Sequence, residues 1–169
     1  LAAANEAKRK GYVRHIGITN HRLAVAQEAV ESRLYDTLQF PFSYLASEAE
    51  TELVARCAAA DMGFIAMKAL AGGLLTNAEA CAAFMRAHPT VVPIWGIQRE
   101  SELEQFLALA ARDDLAITPE LAKLIGRDRK KLSGNFCRGC GYCLPCPAGI
   151  DIPMAARMDC MLRRSPTIK

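Results

Sequence analysis

Four short runs rich in β-branched and other apolar residues recur through the first hundred residues: 13–19 (VRHIGIT), 37–42 (TLQFPF), 63–70 (GFIAMKAL) and 91–97 (VVPIWGI). Their starts fall 24, 26 and 28 residues apart. Between them the apolar residues take up a helical period, in 21–32, 47–62, 77–88 and 101–114. In the first of these, Leu23, Ala26, Ala29 and Val30 share one face. The last opens with Ser101 followed three residues later by Glu104, the pattern of a capping box. Strand then helix, four times at one period, is a βα repeat. The runs are apolar throughout rather than alternating, as parallel strands buried on both faces are. Four such units make half of an eight-stranded (β/α)8 barrel or an open sheet. The turn after the first run, GITNH, lacks the glycine fingerprint of an open dinucleotide fold. The expectation is therefore an α/β protein containing half of a TIM barrel.

The pattern changes near residue 115. The segment 117–132 predicts a helix with Thr118 as N-cap and Pro119 in its first turn. A cysteine-rich stretch follows, then a last helix over 151–164. The chain divides on this reading into a half barrel, 1–114, and a small helical extension, 115–169. The extension has too little apolar content to fold without a metal or the barrel.

A net charge of +3, from 21 Lys and Arg against 18 Asp and Glu, argues for neither a nucleic-acid partner nor a membrane. The basic cluster RDRKK at 127–131 reads as the solvated end of a helix. No apolar run reaches the length of a membrane span. The opening LAAANEAKRK lacks the apolar centre of a signal peptide and reads as a short amphipathic helix. The expected location is cytoplasmic. The first residue is Leu, so the chain reads as a piece of something longer.

Seven cysteines are present, four of them in CRGCGYCLPCP: Cys137, Cys140, Cys143 and Cys146. Such bunching suggests metal ligands in a reducing compartment rather than a disulfide framework. Cys-x2-Cys-x2-Cys, with Gly139 and Gly141 easing the backbone, is the spacing that grips three corners of a 4Fe-4S iron–sulfur cluster. The fourth ligand is Cys146 or, brought back by the last helix, Cys160. Zinc is the alternative occupant, although it favours two separated cysteine pairs. Cys57 and Cys81 lie in alanine-rich helices and read as buried core thiols.

With these residues in hand, the chain resembles the C-terminal half of an aldo-keto reductase, of the branch with a ferredoxin-like C-terminal extension. The segments GYVRHIGITNH (11–21), TLQFPFSYL (37–45), GFIAMKALAGGLL (63–75) and VVPIWGIQRESELEQFL (91–107) resemble that family's strands five to eight with their turns. CRGCGYCLPCPAGIDIP (137–153) resembles the extension, expected to cover part of the barrel mouth or side. The resemblance implies NAD(P)H bound across the strand ends. Thr19, Asn20 and Gln39 would hold the nicotinamide carboxamide, with Met67 where the family often stacks an aromatic ring and Lys68 beside it. The loop 96–99, with Gly96, Gln98 and Arg99, would face the cofactor's phosphates. Glu102 and Phe106 replace residues that often hold the adenosine, which leaves NADH against NADPH open.

Each of these residues has a plainer role open to it. Asn20 can cap the following helix, Lys68 can snorkel at a strand end, and Gly72-Gly73 can be a tight turn. His15 reads as structural within the first strand, and His21 and His88 as surface residues at helix ends. The family's catalytic Asp, Tyr, Lys and His come from strands one to four, and no residue here maps to them. The parent protein is then an oxidoreductase, while this chain alone is expected to be inactive. It would pair with an N-terminal half of the barrel or with itself, and pass electrons to a partner if the cluster is redox-active. The rival reading is a non-enzymatic metal-binding module.

Overall fold

The computed structural model describes residues 1–132, 137 and 141–164. A short helix, α1 (Ala2–Arg9), precedes four βα units: β1 (Gly17–Thr19) and α2 (Leu23–Ser32), β2 (Thr37–Pro41) and α3 (Glu48–Ala59), β3 (Gly63–Met67) and α4 (Ala78–Arg86), β4 (Val91–Pro93) and α5 (Glu100–Ala110). A single 3-10 turn, Ala71–Gly73, follows β3. Helices α6 (Pro119–Leu132) and α7 (Ile152–Arg164) complete the described chain. The strands are shorter than the apolar runs. β1 and β4 are edges with one neighbour each, so fewer of their residues find a ladder partner.

All strand pairs are parallel and the order is β1-β2-β3-β4. This order separates the two architectures the sequence left open. Right-handed crossovers that always step to the next strand keep every helix on one face, as in a β/α barrel. A doubly wound sheet reverses direction instead. The burial agrees: Leu38, Phe64 and Val91, in register across β2, β3 and β4, are buried under the helices. On the other face Thr19, Gln39, Ile65 and Val92 are in register and open, with Val92 64% exposed. Cover on both faces, which the apolar runs predict, is therefore met on one face only within this chain.

The layer below is close-packed for a local reason. Gly17, Thr37 and Gly63 lie side by side across β1, β2 and β3. A Cβ at Gly17 would stand 2.3 Å from the Thr37 hydroxyl, and one at Gly63 3.2 Å from the Thr37 methyl. Two glycines thus make room for one branched side chain.

The helix starts follow side-chain chemistry. Ser47 Oγ accepts from Glu50 N, and Glu50 Oε2 accepts from Ser47 N at 2.8 Å, a complete capping box for α3. Asn77 caps α4, and Thr118 Oγ1 accepts from Leu121 N to start α6. The box expected from Ser101 and Glu104 does not form. α5 starts one residue earlier, at Glu100, and Glu102 Oε2 instead accepts from Gln98 N at 2.9 Å and Arg99 N at 3.3 Å. The acidic side chain two residues closer to the unpaired amides captures them first.

The core runs from Ala26 and Val30 of α2, through Leu38, Phe40 and Phe64, to Leu53, Phe84 and Phe106. α6 adds Leu121 and Ile125 to it. RDRKK is not simply solvated: Tyr44 Oη donates to Asp128, and Arg129 Nε donates to the Tyr44 carbonyl. His88 is likewise no surface residue. Its ring packs against Phe42 and Phe84, with Nδ1 2.9 Å from the Phe84 carbonyl. His15 precedes β1 rather than lying within it, and its side chain is 71% exposed beside Asp36. No helix among the described residues is long and apolar enough to cross a membrane.

Candidate functional site at the carboxyl ends of the strands

The carboxyl ends of β1, β2 and β3 bring five of the expected residues together. Thr19 and Gln39 are register partners, and Asn20 N donates to the Gln39 carbonyl at 3.0 Å, which extends the ladder by one residue. Gln39 Nε2 lies 3.9 Å from Met67 Sδ on the next strand. Met67 is buried, and Lys68 follows it with φ +55°, in the left-handed region. That backbone is uncommon for a residue other than glycine and turns the chain sharply at the end of β3.

Asn20 has the local role that the sequence left open, in a modified form. Its Oδ1 accepts from Arg22 N at 2.6 Å and sets the turn into α2, which begins at Leu23. The side-chain Nδ2 remains a donor. Gly96, Gln98 and Arg99 stand one strand further along, in the loop from β4 to α5, and Glu102 already accepts from two of its amides. Phe106 is not turned to a ligand. It is buried and stacked on Trp95, centroids 4.4 Å apart and planes 17° apart. An apolar-faced cleft opens beside β2 and β3, lined by Phe42, Ser43, Leu45, Glu50, Lys68 and Ala71.

His21 is half-buried rather than on the surface, for a reason invisible in local sequence. Tyr142, from the cysteine-rich segment, meets its ring edge-on at 5.8 Å, and the Arg22 guanidinium lies 4.9 Å over the same tyrosine. Burial, and secondarily the charge of Lys68, lower the His21 pKa and favour the neutral imidazole. At the other side of the mouth Arg157 of α7 donates to the Gly72 carbonyl. Gly72 and Gly73 have φ +65° and +85°, so the pair is a left-handed turn, and a Cβ at Gly72 would stand 2.8 Å from the guanidinium. The extension thus lies on the mouth, as expected. Sequence reasoning did not single out Tyr142 or Arg157. A tyrosine inside the cysteine run and an arginine in the helix after it were the available signal.

Of the four clustered cysteines, Cys137 and Cys146 are half-buried and Cys143 is exposed, while Cys140 lies outside the described residues. The side chain of Cys160 also lies outside them. Among the described residues no three His, Cys, Asp or Glu side chains are gathered closely enough to hold a metal. The described backbone turns tightly here: Gly141 has φ +79°, Leu144 N donates to the Gly141 carbonyl at 3.0 Å, and Gly149 N to that of Cys146 at 2.9 Å.

Cys57 and Cys81 are core thiols, 0% and 1% exposed. Burial pushes their pKa values up to about 11 and about 12. Near pH 8 the thiolate fraction of each is then on the order of one in a thousand or less. Iodoacetamide added to chelator-treated, folded protein is therefore expected to modify Cys143 and spare Cys57 and Cys81 until denaturant is added. Peptide mass mapping checks this. Equal labelling of Cys81 and Cys143 in folded protein would contradict the burial.

The sequence model for the Aldo/keto reductase family matches residues 1–90. No curated protein matches the chain. Among solved structures, a thermostable aldo-keto reductase crystallised with the inhibitor epalrestat is similar over 75% of this chain and 53% of its own, with 20% identity and a TM-score of 0.56. A protein assigned as a 2,5-diketo-D-gluconic acid reductase B is similar over 76% of this chain and 49% of its own, with 20% identity and a TM-score of 0.51. The chain thus spans about half the length of each, and the likeness is one of fold.

Proposed function

Because this chain belongs to the aldo/keto reductase family of oxidoreductases, we propose that it is the cofactor-holding part, strands five to eight, of a (β/α)8 reductase that moves hydride between NAD(P)H and a carbonyl. One observation carries the reading: Thr19, the last residue of β1, pairs with Gln39 of β2, and Asn20 follows on toward the carboxyl end of the sheet, where barrel enzymes bind their ligands. A carboxamide needs both donors and acceptors. The Gln39 amide and Thr19 hydroxyl offer both, and Asn20 Nδ2 adds a donor. When bound, a nicotinamide supplies the hydride. This chain's own part is to orient the ring, with Met67 as a soft apolar surface beside Gln39.

Proton donation is assigned to the family's Asp, Tyr, Lys and His, which lie on strands one to four. The chain by itself then binds cofactor without turnover. Four further strands, from an N-terminal half or a second copy, would cover the open face of Thr19, Gln39, Ile65 and Val92 and pair the edges of β1 and β4. Titration of the purified chain with NADPH and NADH, followed by calorimetry, tests the reading. Saturable binding without carbonyl reduction is expected, and no binding of either nucleotide, with or without an added N-terminal half, would refute it. Glu102 favours NADH, since a carboxylate already held on the loop amides repels the additional 2′-phosphate of NADPH.

The cysteine run supports a second element of function. Four thiols at two-residue spacing suit one 4Fe-4S cluster on Cys137, Cys140, Cys143 and Cys146, or zinc on the same atoms, in a reducing cytoplasmic setting. The described residues do not gather three of these ligands, so no step of the reaction is derived through a cluster. Iron, sulfide and zinc counted in an anaerobic preparation decide between the two. If metal is present and neither nucleotide binds, the non-enzymatic metal module becomes the better reading.

A further inference from the structure

We propose that two copies of this chain close into one eight-stranded barrel, the β4 edge of each copy seated on the β1 edge of the other. The proposal names the partner of the open sheet and rests on the half-barrel reading above, not on the cofactor. The sheet ends in two unlike edges, and each leaves apolar side chains uncovered. At one end Val92, Ile94, and Leu103 and Leu107 of α5 are exposed. At the other, Tyr12 and Val13, just before β1, are exposed. α1, which leads into them, buries none of its residues, so no packed helix bars that edge.

Charge decides which edges meet. Residues 1–22, up to the turn after β1, hold five Lys and Arg against one Glu. Residues 91–114, from β4 through α5, hold five Asp and Glu against two Arg. Like edges repel and unlike edges attract. Arg14 on the basic edge, and Glu100, Glu104 and Asp113 on the acidic one, are exposed and form no ion pair among the described residues. Joining unlike edges is a head-to-tail contact, which makes a closed ring when the rotation per copy divides the circle. Four parallel strands in consecutive order are half of an eight-stranded barrel, so the ring closes at two copies. A second copy brings the complementary charge to both junctions. It also sets the open face of Thr19, Gln39, Ile65 and Val92 against the same face of its partner, which encloses the candidate site.

The test is the mass of the purified chain in solution, by light scattering at low salt. About twice 18.4 kDa is expected. Added salt, which screens charges beyond about 10 Å at 0.1 M, should weaken the dimer. A first triple variant, Arg9→Glu, Lys10→Glu and Arg14→Glu, reverses the basic edge. A second, Glu100→Lys, Glu104→Lys and Asp113→Lys, reverses the acidic one. Each alone opposes like charges at both junctions and should dimerise at least tenfold more weakly than wild type. Mixed one to one, the two restore attraction at both junctions and should recover the dimer, which pairing of like edges would not give. All six side chains are exposed, and thermal melts establish that each variant is folded. A wild-type monomer throughout the micromolar range, growth beyond two copies, wild-type dimerisation by either variant, or no recovery on mixing overturns the proposal. A dimer that binds neither NADH nor NADPH keeps the assembly and sinks the cofactor reading, and a monomer that binds either does the reverse.

Discussion

Tyr44→Ala is expected to lower the unfolding free energy by about 3–5 kcal/mol, the cost of deleting a buried aromatic ring. Tyr44 is fully buried and stands edge-on to Phe84, 6.4 Å between centroids. Its hydroxyl donates to Asp128 and its carbonyl accepts from Arg129 Nε. One residue in the loop after β2 thereby fixes α6 against the body that carries the strand ends. Tyr44→Phe separates the contributions. It keeps the ring and removes one hydrogen bond to a charged acceptor, so about 1–3 kcal/mol is expected. Urea unfolding of the three proteins, with slopes compared, measures both. A loss under about 1 kcal/mol for Tyr44→Ala would mean that the ring is not part of the cooperative core.

Gln39→Leu is expected to reduce NAD(P)H affinity by roughly tenfold to a hundredfold, the effect of leaving a ligand's polar group unpaired. It should leave stability unchanged or slightly raised. The side chain is half-buried on the inner face, and its described contact is a weak one to Met67 Sδ. Leucine has similar bulk and removes a polar group that otherwise needs a partner. Fluorescence titration with NADPH and a thermal melt together provide the check. Equal affinity would remove Gln39 from the site, whereas a large loss of stability would make its role structural. Asn20→Ala is less clean, because it also removes the acceptor of Arg22 N at the entry to α2.

The differences between expectation and structure at the candidate site share one physical origin. Glu102 and Glu104 are both correctly spaced from a plausible cap, so local pattern alone cannot choose between them. The position of Gln98 N and Arg99 N in the loop between β4 and α5 makes the choice. Phe106 lies at a position suggestive of ligand contact, yet Trp95 takes its face. His88 sits at a helix end and would be solvated there, but the Phe42 ring, 46 residues earlier in the chain, closes over it. In each case the deciding neighbour is brought in by the fold.

The sequence by itself determined the repeating βα order, the parallel strands, the starts of α3, α4 and α6, and the burial of Cys57 and Cys81. These follow from periodicity, capping chemistry and composition, which act over a few residues. The tertiary structure alone decided that the strands run in consecutive order with one face open, since order depends on the sense of each crossover. It alone seated Tyr142 on His21 and Arg157 on Gly72, pairs separated by more than eighty residues. Contacts at that separation leave no periodic trace in a single chain, because each partner satisfies its own local pattern equally well without the other.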